Sequence, residues 1–260
     1  MTSRSVGVLC GAVALLASPA ALGQDSFFDD FDQFDRARWY VSDGWSNGTH
    51  QNCTWTRDQI SVVDGSLRVA FSPIPAGERL FRCGEAQSHA SLGYGTYEAR
   101  IKTPSASGLN AAFFTYIGPV HGKQHDEIDF EILTKDTTTV HTTTFVNGVS
   151  GDGQQGGAMY PELPYPADED FIDYAFVWAA DRVDFYVNGE LVRSITDPRQ
   201  IPFTPQRVFF SLWGTDTLNE WMGPFVAPSE PIAMEVDYFA FTALGAPCQF
   251  PESVVCATDP

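Results

Sequence analysis

Nine residues, His125-Asp126-Glu127-Ile128-Asp129-Phe130-Glu131-Ile132-Leu133, carry the densest chemistry in this 260-residue chain. With a strand's period of two, Glu127, Asp129 and Glu131 share one face, and Ile128, Phe130 and Ile132 share the other. Like charges at two-residue intervals repel one another and resist desolvation, so folding alone does not favour such a row. Two carboxyl groups facing a shared space can hydrolyse a glycosidic bond: one attacks the anomeric carbon while the other, kept protonated, gives its proton to the leaving oxygen. Glu127 and Glu131 are the candidates. Their backbones stand about 13 Å apart on a straight strand, against a carboxyl separation of roughly 5 to 5.5 Å in a retaining enzyme, so curvature and inward-leaning side chains must close the gap. Asp129 lies between them, where a hydrogen bond to one glutamate fixes that group and its charge raises the proton affinity of the other. Chemistry alone leaves the two glutamate roles interchangeable. Two rival readings of the strand are a calcium site, which would also need loop and carbonyl oxygens, and a merely solvated face, which the apolar alternation argues against.

Positioning such a row requires a sheet, and the rest of the chain supplies strand patterns from end to end. Short β-rich runs punctuated by Gly, Pro, Asn and Asp fall at 60–63, 66–71, 95–102, 111–117, 127–133, 139–146, 173–178, 182–187, 191–195, 207–212 and 232–242. No helical period lasts beyond about two turns. Asn188-Gly189, between two alternating runs, predicts a hairpin with a primed turn. An all-β sandwich or barrel follows. No Pro- or Ser-rich linker and no repeat divides residues 24–260, which predicts one domain. The polar segment 148–170 reads as a long loop of the kind that borders a site.

Residues 1–23 are built like a secretory signal: Arg4 in a short basic lead, an apolar run from 6 to 17, then small residues before Gln24. The run is too short to span a bilayer. An exported mature protein of roughly 237 residues is expected. Once Cys10 leaves with the leader, Cys53, Cys83, Cys248 and Cys256 remain, an even set that predicts disulfides in an oxidising compartment. Of the three pairings, Cys53 with Cys83 ties two early strands and Cys248 with Cys256 closes a small C-terminal loop. A zinc site is the rival reading, but the spacings lack the paired C-x-x-C form. With 33 acidic against 15 basic residues and a formal net charge of −18, the surface repels nucleic acid and anionic membranes. It also makes a strongly anionic polymer an awkward substrate unless the cleft is less acidic than the whole. The plain reading of the acidity is solubility after export.

The carboxylate strand and the motifs around it resemble the glycoside hydrolases of family sixteen, whose signature is Glu-x-Asp-x-Glu on a cleft strand. The resemblance runs from about Phe28 to Phe241 through Asp43-Gly44-Trp45-Ser46-Asn47-Gly48, Asn52-Cys53-Thr54-Trp55, Gly93-Tyr94-Gly95-Thr96-Tyr97-Glu98, Phe113 to Pro119, Lys135-Asp136-Thr137-Thr138, Leu212-Trp213 and Asn219-Glu220-Trp221-Met222-Gly223. Within that family it resembles bacterial lichenases and rhizobial exopolysaccharide glycanases.

What the resemblance implies is a concave β-jelly-roll sandwich of two antiparallel sheets. Glu127 becomes the nucleophile, Glu131 the acid/base and Asp129 the helper, with retention of configuration and no cofactor needed for catalysis. The single residue between Asp129 and Glu131 is similar to lichenases and xyloglucan transglycosylases, whereas laminarinases and agarases usually carry one more. The Cys53–Cys83 pairing matches the lichenase disulfide. Trp45, Asn47, Glu85, His125, Trp213 and Trp221 would serve the sugar subsites, with core packing as the alternative for each tryptophan. Asp237, with carbonyls near Asp30 and Gly65, resembles a structural calcium site, the alternative being a plain surface aspartate.

Departures from the lichenase pattern are His125 in place of Trp, Gln87 in place of Arg, and His141, Thr143 and Phe145 in place of Gln, Asn and Tyr. For His125 and His141 a structural histidine and a subsite role both stand open. The expected activity is a retaining endo-β-glycanase on a β-1,3-1,4-linked glucan or a related glucose-containing polysaccharide, working as a monomer. The alternatives are a transglycosylase and, in another class, a non-catalytic carbohydrate-binding lectin.

Overall fold

The computed structural model describes residues 25–151 and 159–256; the leader read over 1–23 lies outside them. The described residues form sixteen strands: β1 Phe27–Asp29, β2 Trp39–Val41, β3 Cys53–Trp55, β4 Ile60–Val63, β5 Ser66–Ser72, β6 Phe81–Ser88, β7 Gly95–Lys102, β8 Leu109–Ile117, β9 Asp126–Leu133, β10 His141–Val146, β11 Val149–Ser150, β12 Ile172–Trp178, β13 Val183–Val187, β14 Glu190–Ile195, β15 Arg207–Gly214 and β16 Ile232–Ala243. The single α-helical turn among the described residues is α1, Asn219–Met222.

Hydrogen bonding runs in one path, β11-β10-β9-β8-β15-β6-β5-β16-β7-β12-β13-β14, with β2 and β3 added on β6, β4 on β5 and β1 on β16. Every pairing is antiparallel except that of β3 with β6. The path curls back on itself, so β11 through β6 form the cleft layer and β5 through β14 the layer behind it. The strand β6 belongs to both. Its first part pairs with β3 and β5, with Cys83 opposite Phe71, and its second part pairs with β15 from Gly84 to Gln87. Gly84 marks the crossing: a Cβ there would lie 2.8 Å from the Gln59 carbonyl oxygen and 3.1 Å from both Ile60 and Val69, so the close approach admits no side chain. The expected two antiparallel sheets are thus two layers of one curled sheet.

Strong strand patterns hold their expected places, β4 and β7 with both ends unchanged. The Asn188-Gly189 turn has φ of 47° and 80°, as a primed hairpin requires. The sequence reading omitted β1, β2, β3 and β6. It also took all of 148–170 as loop, whereas Val149–Ser150 pairs with the end of β10 across an Asn147-Gly148 turn. Expected strand 139–146 begins at His141; Thr139 instead makes an isolated bridge with Glu162.

Between the layers lies an aromatic core. Phe113 on β8 has ring centroids of Phe210, Phe176, Phe239 and Phe130 at 5.4, 5.7, 6.0 and 6.2 Å, drawing from both layers. Ile128, Phe130 and Ile132, the apolar face of the carboxylate strand, are fully buried in it. Burial of that face at roughly 1.5 to 3 kcal/mol per large side chain is what forces the opposite face, with its three carboxylates, outward into the cleft. The Cys53–Cys83 bond (S–S 2.06 Å) ties β3 to β6, and Cys248 joins Cys256 beyond β16.

Candidate active site

Registers place the cleft residues in rows across the sheet. Glu127 on β9 stands opposite Tyr116 on β8 and Phe145 on β10; Asp129 stands between Phe114 and Thr143; Glu131 stands between Ala112 and His141. Pairing of β9 with both neighbours runs without a bulge, so all three carboxylates face the same side. The Glu131 row continues through Ser211 to Glu85, and the Asp129 row through Phe209 to Gln87 and Tyr40. Small side chains, Ala112 and Ser211, separate Glu131 from Glu85 and keep that part of the floor low. Under the Asp129 row the floor is apolar, with Phe114 and Phe209 stacked at 4.8 Å.

The resulting cleft holds about 810 Å³ and is lined by Trp45, Asn47, Glu85, His125, Glu127, Asp129, Glu131 and Trp213 together with the floor residues. Eight of the nine residues expected for catalysis or sugar contact therefore converge. The ninth, Trp221 at the helical turn, is outside this lining, its ring 6.3 Å from Trp213 and 6.2 Å from His141. Trp45 lines the cleft with 41% of its surface exposed. Its backbone pairs with Trp55, which takes the core position instead.

Each glutamate has its own polar partners. Oε1 of Glu131 accepts from Asn110 Nδ2 at 2.8 Å, and its Oε2 lies 3.0 Å from Nδ1 of His141. Oε2 of Glu127 lies 2.5 Å from Nε2 of His125. Burial pushes the Glu127 carboxyl above the ordinary carboxylate range, the hydrogen bond from His125 pulls it back, and the charge of Glu131 adds to the rise. Asp129, 4% exposed, sits between them. Glu85 is buried at the far end of its row; burial raises its carboxyl to about 7, against a hydrogen bond from Ser42 Oγ at 2.5 Å.

Sequence reasoning passed over Asn110, Ser42 and Tyr116, which reach the site only through cross-strand register. His141 and Phe145 stand out in the sequence as departures from the lichenase pattern, and the register of β10 sets them opposite Glu131 and Glu127.

The residues expected for calcium, Asp237 with carbonyls near Asp30 and Gly65, have the following surroundings. Asp237 lies on β16 where the register with β7 shifts, and its Oδ2 is 3.4 Å from Nε of Arg100. Gly65, at φ 78°, serves the turn between β4 and β5. The Asp30 carboxylate accepts from the Asp32 N–H at 3.1 Å. Among the described residues no three His, Cys, Asp or Glu side chains gather as metal ligands.

Comparison with known proteins agrees with this geometry. Residues 47–239 match the pattern of Glycosyl hydrolases family 16. The endo-1,3-1,4-beta-glycanase ExoK of Rhizobium meliloti (strain 1021) is 53% identical over 231 residues, 89% of this chain and 84% of that protein. The beta-glucanase of Bacillus subtilis (strain 168) is 35% identical, covering 91% of this chain and 94% of its own. A solved prokaryotic beta-1,3-1,4-glucanase (lichenase) from a mouse hindgut metagenome superposes with a TM-score of 0.78 at 32% identity, over 84% of this chain and 99% of that one. The jelly roll, the three-carboxylate strand in register on its concave face and the length of these matches lead to one assignment: the chain is a glycoside hydrolase and belongs to family 16 of the glycosyl hydrolases.

Proposed function

We propose that this protein is an exported, monomeric, retaining endo-β-glycanase that cuts inside a β-1,3-1,4-linked glucan or a related glucose-containing polysaccharide, with residues 24–260 acting as one catalytic unit. The observation that carries the reading is the unbulged row Glu127, Asp129, Glu131 on the cleft face of β9. The names of the relatives supply the substrate class.

In the first step Glu127 attacks the anomeric carbon and forms a glycosyl ester. Glu131 gives its proton to the glycosidic oxygen, which departs with the bonding electron pair as the free hydroxyl of the leaving chain. In the second step Glu131, now a carboxylate, takes a proton from water, whose oxygen bonds to the anomeric carbon as the Glu127 carboxylate leaves. Two inversions give retention. Asp129 couples the pair: once Glu127 is a neutral ester the local negative charge drops, and Glu131 can act as base. The chemistry is complete in protein carboxyls and calls for no cofactor. Trp45 and Trp213 stack on pyranose faces, Trp221 packs against Trp213, and Asn47 and Glu85 hold hydroxyls.

Azide rescue tests the assignment on glycosides with an activated aryl leaving group. Glu127→Ala should lose at least about 10³-fold in kcat and, with azide, yield the α-glycosyl azide. Glu131→Ala should retain turnover of the activated glycoside and yield the β-glycosyl azide. Interchanged products would reverse the roles. A wild type that releases no reducing ends from a panel of β-glucans would defeat the reading as a whole, and label moving from a tagged oligosaccharide into polymer would mark a transglycosylase.

A further inference from the structure

The geometry points to His125 as a positioning residue for Glu127, a clamp that holds the attacking carboxylate in place and ionised, rather than as a sugar contact. This rests on the nucleophile reading of Glu127. His125 Nε2 is 2.5 Å from Glu127 Oε2, so that nitrogen is already committed to the carboxylate.

Neighbouring residues fix the imidazole from two sides. Its ring stacks on Phe145 at 5.1 Å with planes 14° apart, and meets Tyr116 edge-on at 5.2 Å. Phe145 and Tyr116 are the two residues paired with Glu127 across the sheet. The rings that flank the carboxylate are therefore the rings that aim its donor. His125 is also fastened through its main chain, its carbonyl accepting from the Gly148 N–H at 2.8 Å across the β10–β11 turn. The adjacent Asp126 carboxylate is turned to the backbone N–H groups of Asn147, Phe203 and Thr204, which leaves Glu127 as the hydrogen-bonded carboxylate partner of the imidazole.

Titratable and charged groups around the clamp act in known directions. On β9, Glu127 through its hydrogen bond and Asp126 through its charge both raise the basicity of His125, and burial opposes them. On β8, Tyr116 is raised by burial and by the charge of Glu127. In the turn before β9, His121 is lowered by burial and by Arg207 of β15. β10 presents Phe145, which does not titrate. Glu131 acts on the clamp through Glu127. Donation from His125 is the largest influence that favours the ionised nucleophile.

His125→Phe and His125→Gln separate this role from sugar binding. Phe keeps a ring to stack on Phe145 and loses the donor; Gln restores a donor near the same place. For His125→Phe, kcat on activated aryl glycosides should fall about 10-fold or more, with KM within about twofold. The acid limb of kcat/KM should move up by about one pH unit. His125→Gln should recover most of both effects. A rise in KM with an unmoved acid limb would make His125 a sugar contact and overturn the proposal, as would a Phe variant that behaves like wild type. Independently of turnover, the imidazole resonances of His125 in the full protein should titrate at lower pH in Glu127→Gln than in wild type; an unchanged titration would also overturn it. The azide products report on the role of Glu127 separately, so a wild type that cleaves through Glu127 while His125→Phe leaves the acid limb in place defeats the clamp alone.

Discussion

Carboxyl groups in this protein owe their chemistry to where burial and hydrogen bonding place them. Glu85 and Glu98 are both buried and both raised to about 7 by that burial, each partly relieved: Glu85 by Ser42, Glu98 by the N–H groups of Val254 and Val255. In an unfolded chain both would ionise near 4.5. Between those values the folded state holds protons that the unfolded state has released, so their contribution to stability falls as pH rises from about 4.5 through 7. The loss is up to about 3 kcal/mol for each group. Melting temperatures at pH 5 and pH 8 check this: wild type should drop between them, and Glu85→Gln or Glu98→Gln should shrink the drop. Glu85→Gln should also raise KM for polysaccharide, while Glu98→Gln, which anchors the C-terminal segment on the back layer, should not.

At the scale of the element, β9 shows how a strand can carry three acids. Its inner face is paid in aromatic and aliphatic packing, with Phe130 against Phe113, Tyr174 and Phe185 at 6.2, 5.4 and 5.2 Å. Phe130→Ala should cost about 3 to 5 kcal/mol. Because Asp129 and Glu131 flank that residue, kcat should fall further than partial unfolding explains, as denaturant titration and assays on the folded fraction would show. The strand β9 was legible because strict alternation of acid and apolar residues has one structural solution. The strand β6 was not. Its sequence, Phe81-Arg82-Cys83-Gly84-Glu85-Ala86-Gln87-Ser88, contains a glycine, no β-branched residue and polar side chains that are buried, so it lacks the periodic signal even though it joins both layers and carries Glu85.

Across the whole molecule, the Cys53–Cys83 bond closes a loop of 30 residues and restrains the unfolded chain where β3 and β6 must meet. Replacing both cysteines by serine should cost about 3 to 4 kcal/mol on the chain-entropy account, measured by urea unfolding, with turnover by the folded fraction unchanged. With 33 acids to 15 bases, self-repulsion spreads over the surface. Among the described residues, no helix is long and apolar enough to cross a membrane.

Sequence alone determined the all-β class, the face on which the three carboxylates lie and, through the resemblance, the family, because each rests on local periodicity or on motifs contiguous in the chain. Tertiary structure decided what surrounds those carboxylates. Asn110 and His141 reach Glu131 from β8 and β10, Tyr116 and Phe145 orient the ring of His125, and Ser42 meets a glutamate 43 residues away. Such partners are set by register between strands distant in sequence. A one-residue slip would turn every one of them to the other face, and no local pattern records which register the packed core selects.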